Sequence, residues 1–428
     1  ITNLKTIMKQ TILFFLCMVG LVSGEAQVSQ SAHNSWLVML QRKDGRQVPF
    51  QMEQQSENGK AVLYIINATE RIKITNVQTA GDSIFFTMPA FESSFRLQIL
   101  PGGNMRGTYI KGTSGATQYW PVHAYTNVKD RFTAQNGNSK NNISGRWDVS
   151  ITRANGTIRK AVALLEQQGN KLTGSFLTPS ADYRYLDGIV SGDSLKLSGF
   201  DGDNIHLFEA KINDSNTISA GVFYNGYTGK ETWTAIKNDA IALPEANEPT
   251  RLRRGETRLN FTFNDLQGKP VSINDERFKN KVVVIQIMGS WCANCLDETK
   301  FLADYYAQNP ARMTSGRRSK EVEIIALAYE LTTDIKRSQK SVSKFQQLFN
   351  VQYPMLITGV AAGDEKKTEK TLPQLTPIRS FPTTIFIDKK GNVREIHTNF
   401  YGPASGEYYI ESKKKFYGTV DKLLNEKL

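Results

Sequence analysis

Two cysteines set two residues apart, in Trp291-Cys292-Ala293-Asn294-Cys295, are the residues best placed to do chemistry in this 428-residue chain. A nearly unbroken apolar run, Lys281 to Met288, precedes them, followed by a Gly289-Ser290 turn. That order places the pair at the start of a helix that follows a strand buried on both faces. Two intervening residues bring both sulfurs to the helix's first turn, near enough to bond. The unpaired N–H groups and positive dipole pole of such a turn favour thiolate at Cys292. A thiolate held this way is both nucleophile and good leaving group. Cys295, one turn further in, is the shielded thiol that resolves the mixed disulfide formed by Cys292.

The alternatives for this pair are few. Met8-Lys9-Gln10 and the apolar run Thr11 to Val22 read as a signal peptide starting at Met8, occupying residues 1–26 and cleaved near Gln27. The third cysteine, Cys17, lies inside that run after Phe15-Leu16, which lacks the small residues of a lipobox. The mature protein would therefore keep Cys292 and Cys295 alone, a single redox centre without a disulfide framework. Zinc would draw on two more Cys or His ligands, and His33, His123, His206 and His397 form no close-spaced pair, so neither metal nor cofactor is expected. A purely structural disulfide closing so short a loop gains little.

The elements around the pair follow an α/β order across 257–428. Val322 to Leu327 is a second buried strand. Val342, Phe345, Leu348 and Phe349 recur at helical spacing. Thr384 to Asp388, a Lys390-Gly391-Asn392 turn and Val393 to Ile396 predict a hairpin, and Tyr417, Val420, Leu423 and Leu424 a closing amphipathic helix.

Trp291-Cys292-x-x-Cys295-x-x-Glu298, together with Phe381-Pro382-Thr383-Thr384-Ile385-Phe386-Ile387-Asp388, resembles the exported TlpA/ResA-type thiol–disulfide oxidoreductases of the thioredoxin superfamily. Asn260 to Phe263 with Leu266-x-Gly268-Lys269 resembles the strand that opens that domain. The resemblance covers Asn260 to Leu428, about the last two-fifths of the chain. It implies that Pro382 is a cis-proline facing the sulfurs, and that Trp291, Phe381, Pro382 and Thr383 form the substrate-peptide groove. It also implies that Glu298 is an active-site carboxylate able to tune a thiol or relay a proton; the bland reading is a surface glutamate. Gln286 stands where cytosolic thioredoxins carry a buried aspartate, and an amide cannot take up a proton there. Ala293-Asn294 replaces the family's proline-containing pairs, which leaves reductant versus oxidant open. Residues 361–379 are an insertion before Pro382, either a lid or partner surface or a solvated decoration.

The first half of the chain belongs to another class. Short alternating runs and Gly-rich turns predict β structure, organised as a repeat. Trp36-Leu37-Val38 matches Trp147-Asp148-Val149 at an offset of 111, which also relates Lys60 to Lys171 and Gly81-Asp82-Ser83 to Gly192-Asp193-Ser194. Trp120 aligns with Trp233 slightly later. Two tandem all-β barrels or sandwiches follow, over 30–138 and 139–240, joined by a linker at 241–256 to the thioredoxin-like domain. Gly145-x-Trp147 resembles the opening strand of lipocalin and avidin-like barrels, although Asn34 replaces the glycine in the first unit. No polar cluster marks a ligand pocket there, so plugging of the barrel ends is the simpler role for the tryptophans. Asn67-Ala68-Thr69 and Asn155-Gly156-Thr157 match glycosylation acceptors, set aside in a chain of bacterial character.

Composition excludes little else. Hydrophobic and charged fractions of 39% and 22% are ordinary, and the net charge of +12 comes from scattered residues such as Arg251, Lys336 and Lys413. No nucleic-acid module accompanies them. The expected function is an exported, periplasmic or cell-envelope oxidoreductase reducing disulfides of proteins or apocytochromes. Its partners are disulfide-containing proteins and an upstream electron donor or acceptor; membrane association requires that the signal segment be retained. The competing reading is a binding protein whose β repeats hold the ligand.

Overall fold

The computed structural model describes residues 35–134, 137, 141–243, 248–309, 312–314, 317–319 and 321–427. The signal reading, with Cys17, His33 and Asn34, lies outside the described residues, as does the middle of the linker, 244–247. The described chain is mostly β with a few helices.

Alternation of buried and exposed positions builds the first half. In a nine-stranded antiparallel sheet, the opening strand Ser35–Gln41 pairs with both Gln47–Glu57 and the last strand, Gln118–Thr126. The short strands Glu70–Ile74 and Val77–Ala80 stand at opposite ends of its order. A second sheet repeats the scheme, with Gly145–Thr152 pairing with Ile158–Gln168 and with its last strand, Gly229–Lys237. Here Ile158–Gln168 also pairs with Lys171–Thr178, which closes the ring into a barrel. Trp36 and Trp147 thus sit on the opening strand of each sheet, and Trp120 and Trp233 on the last. All four are buried within two separate aromatic cores. In the barrel, Phe176, Phe208 and Phe223 stack at 4.1 Å between neighbours and fill the interior, so the barrel is a packed core, not an open pocket.

The third sheet has seven strands in the order Pro270–Ser272, Thr262–Asp265, Met355–Ile357, Val322–Ala328, Val282–Met288, Thr383–Ile387, Val393–Thr398. Val282–Met288 is buried at every position, as its run of β-branched residues requires. It lies parallel to Val322–Ala328 and antiparallel to Thr383–Ile387. Four helices accompany the sheet: α1 (Ala293–Gln308), α2 (Ile335–Leu348), α3 (Lys367–Thr371) and α4 (Glu407–Asn425). A short hairpin, Arg312–Thr314 with Arg317–Ser319, follows α1. No helix among the described residues is long and apolar enough to cross a membrane.

The 361–379 insertion is neither free lid nor solvated decoration. Leu372, Leu375 and Ile378 are buried in the domain core. The stretch after the linker's prolines is laid against it: Arg253 N–H donates to the Gln374 carbonyl at 2.8 Å, and Thr376 N–H to that of Arg251 at 2.8 Å. Tyr329 and Thr371 hydroxyls share a bond of 2.6 Å beneath it.

Candidate active site

The Val282–Met288 strand ends in a turn whose tightness depends on glycine: a Cβ on Gly289 would come within 2.2 Å of the Trp291 ring nitrogen. Trp291 Nε1 donates to the Tyr329 carbonyl at 2.8 Å, and Ser290 donates through its N–H (2.9 Å) and Oγ (2.6 Å) to buried Glu330. Burial pushes the Glu330 carboxyl up to about 7 against the lowering effect of those bonds. Cys292 is the N-cap of α1. Its sulfur accepts the Cys295 N–H at 3.2 Å, and its thiol faces the Phe381 carbonyl at 3.4 Å. Cys295 is fully buried, and burial together with the neighbouring Cys292 pushes its thiol well above the ordinary range.

The other predicted site residues gather here. The Phe381–Pro382 peptide is cis, and the Phe381 ring packs edge-on against Trp291 at 5.4 Å and against Tyr329 at 5.7 Å. Thr383 is buried and its hydroxyl donates to the Ser380 carbonyl at 2.9 Å. Glu298 is 3% exposed, so the surface-glutamate reading does not hold. Gln286 Nε2 donates to one of its oxygens at 2.8 Å, the Thr384 hydroxyl donates to the other, and Thr299 donates to Gln286 Oε1 at 3.1 Å. Burial raises the Glu298 carboxyl to about 7 in spite of both bonds, and its charge in turn raises Cys295. A cavity of about 490 Å³ has Glu298, Thr384, His397, Tyr401 and Lys415 in its wall. Among the described residues no group of three or more His, Cys, Asp and Glu side chains is arranged to hold a metal ion.

Gln286 is thus the amide that steadies a carboxyl, not a proton acceptor. Gln286→Leu would leave one Glu298 oxygen and the Thr299 hydroxyl without a partner. The Glu298 titration should move further up from about 7, with a loss of about 1–3 kcal/mol of stability near neutral pH. Urea unfolding across pH 5–9 checks both.

Sequence reasoning missed the residues that surround the dipeptide between the cysteines. Asn294 Nδ2 donates to Asp182 at 3.0 Å, and Asp182 also accepts from the Gly402 N–H at 2.7 Å. The Arg184 guanidinium donates to the Ala293 carbonyl at 3.3 Å and pairs with Asp297 and Glu70, with Asp201 at 3.8 Å. Gly402 is needed for this approach, because a Cβ there would meet Asp297 Oδ2 at 2.2 Å. Burial pushes Asp297 up to about 7 against the pull of Arg184, while the surrounding carboxylates hold the guanidinium proton tightly. On the other flank, Glu92, just before the strand Ser93–Ile99 of the first sheet, accepts two bonds from Arg337 of α2, at 2.9 and 2.6 Å. Apart from Arg184 with Asp201, these contacts join positions more than a hundred residues apart, and no local pattern announces them.

The arrangement can exchange a dithiol for a disulfide: a sulfur at a helix start, a second sulfur one turn behind, and a buried carboxyl of near-neutral titration. The chain is similar to such proteins. It is 29% identical over 143 residues to the thiol-disulfide oxidoreductase ResA of Bacillus thuringiensis, covering 33% of this chain and 68% of that one. To the ResA of Geobacillus kaustophilus it is 28% identical over 167 residues, 39% of this chain and 82% of that one. The thioredoxin-like protein YneN of Bacillus subtilis is 22% identical over 172 residues, 40% and 82% respectively. Among solved structures, a secreted thiol-disulfide isomerase from Corynebacterium glutamicum aligns with 43% of this chain and 97% of its own, at 19% identity and a TM-score of 0.30. No protein-family model matches the chain.

Proposed function

We propose that this chain, a thiol–disulfide oxidoreductase carrying a ResA/TlpA-type thioredoxin-superfamily domain in its last two-fifths, works outside the cytoplasm as a reductant of protein disulfides. The observation that carries the reading is the placing of Cys292 at the head of α1, its sulfur toward the Phe381 carbonyl, with Cys295 buried one turn behind. The leader-like segment at Met8 to Val22 motivates export.

In the reducing direction, the Cys292 thiolate attacks one sulfur of a substrate disulfide. A bond forms between Cys292 and that sulfur, and the other substrate sulfur leaves as thiolate. Cys295 then gives up its proton and attacks the Cys292 sulfur. This releases the second substrate thiolate and closes the Cys292–Cys295 disulfide, so two electrons have passed to the substrate. Glu298, whose charge is felt at Cys295 and which borders the cavity, is the group that takes the Cys295 proton. Trp291, Phe381 and Pro382 form the wall against which the client backbone lies, and the buried Thr383 stands behind it. An upstream two-electron donor returns the disulfide to the dithiol.

Titration of the purified mature chain against glutathione buffers tests the reading. A reversible two-electron couple is expected between about −120 and −300 mV, toward its reducing end. Thiols that stay reduced across that whole range would sink it.

A further inference from the structure

The whole Cys292–Cys295 segment is covered. Cys292, Ala293 and Asn294 are 7%, 8% and 6% exposed and Cys295 is 0%. The polar groups on Ala293 and Asn294 include two from outside the third sheet's part of the chain, Asp182 and Arg184, at the end of and just after the short strand Ala181–Asp182 of the β barrel. Between these two, Tyr183 turns inward and packs edge-on against Phe208, Phe223 and His206 at 4.9–5.9 Å, which anchors the loop in the barrel core. Arg184 adopts φ +54°, a left-handed conformation that non-glycine residues rarely take. Surrounding contacts hold it there: Arg184 N–H donates to Asp182 Oδ1 at 2.8 Å, and its guanidinium reaches Ala293, Asp297 and Glu70.

We infer that Asp182 and Arg184 are positioning residues for the dithiol: they fix the Ala293-Asn294 dipeptide from the β barrel and so set the Cys292–Cys295 reduction potential. The inference rests on the redox reading of this site. Its physical basis is the first turn of α1. Ala293 C=O and the Asn294 side-chain amide are tied to groups outside the helix, and the backbone N–H of Cys295 donates to the Cys292 sulfur. That donor favours the reduced form, in which the sulfur carries the most negative charge. A loosened dipeptide aims the donor less well, and the dithiol becomes more reducing. The β half of the chain is then part of the redox device and not merely attached to it.

The reaction to measure is protein dithiol plus glutathione disulfide giving protein disulfide plus two glutathione thiols, on the full chain. Asp182→Ala and Asn294→Ala should each move its equilibrium constant at least threefold toward protein disulfide, about 14 mV at 29.6 mV per tenfold. The double variant should move it no further than the larger single, because both changes cut the same bond. Arg184→Met should shift it the same way; if that variant fails to fold, with its carboxylates left unpaired, the Asp182/Asn294 cycle decides alone. Arg146→Ala breaks another contact of this barrel with the domain, to Glu407, and should leave the constant unchanged. Constants within threefold of wild type in the folded variants, a shift toward the oxidising side, or fully additive effects in the cycle would overturn the inference. A wild-type chain with no reversible couple would instead overturn the functional reading beneath it.

Discussion

With Cys295 replaced by serine, turnover should fall by about a thousandfold or more and the chain should accumulate as mixed disulfides through Cys292. The two sulfurs differ in exposure, and burial holds the proton on Cys295. Cys292 keeps 7% of its surface open and caps α1, whereas Cys295 has none, and its proton is held by burial, by Cys292 and by Glu298. A client therefore meets Cys292 first, and the bond so formed can be broken from within by Cys295 alone. A serine hydroxyl in that place is a far poorer nucleophile toward sulfur, so the intermediate stalls. Cys292→Ser should abolish turnover to a similar extent but leave nothing trapped. Non-reducing electrophoresis of the Cys295→Ser chain, followed by release with dithiothreitol, reads the trap and names the clients. Retention of more than a tenth of the turnover in Cys295→Ser, or trapping on Cys295 in the Cys292→Ser chain, would remove the roles assigned here.

The parts of this site legible in sequence are those written locally. The Val282–Met288 strand shows as a run of β-branched residues, and the helix after it begins at a cysteine that serves as its own cap. The closing helix was visible as a periodic apolar stripe, although its first turns, from Glu407, were not, because Glu407 to Ile410 lack that period. The four tryptophans marked equivalent strands because a repeat conserves register within each unit. What could not be read was any contact made by docking. Asp182 and Asn294 lie 112 positions apart and belong to different sheets' surroundings. Asp182-Tyr183-Arg184 has the composition of an ordinary polar turn, and Asn294 passes for a neutral filler between cysteines. The insertion at 361–379 misled for a related reason. Its charged residues, around α3, are those that face water, while Leu372, Leu375 and Ile378, three apart, are interleaved with Pro373 and Pro377, which break any helix or strand pattern that would show the face they bury.

Glu298→Gln should separate the carboxyl's chemical work from its cost to the fold. The folded carboxyl titrates near 7 against an ordinary value of 4.5, so between those values the native state holds a proton that the unfolded chain has lost. Stability therefore falls as pH rises through this window, by about 2 kcal/mol between pH 5.5 and 8 from this group. Glutamine keeps the shape and the partners Gln286 and Thr384 but does not titrate, so urea unfolding of the variant should lose that part of the slope. A residual slope of the same sign should remain, because burial also raises Asp297 and Glu330 to about 7. Catalysis should move oppositely to stability. Without a group to take the Cys295 proton, release of the second substrate thiol should slow by about a hundredfold at pH 7. Attack by Cys292, which does not use Glu298, should keep its rate. Stopped-flow release of a chromogenic thiol from a preformed mixed disulfide on Cys292 measures the affected step by itself. A release rate within threefold of wild type would leave Glu298 as a buried polar group that weakens the fold at neutral pH without serving the exchange.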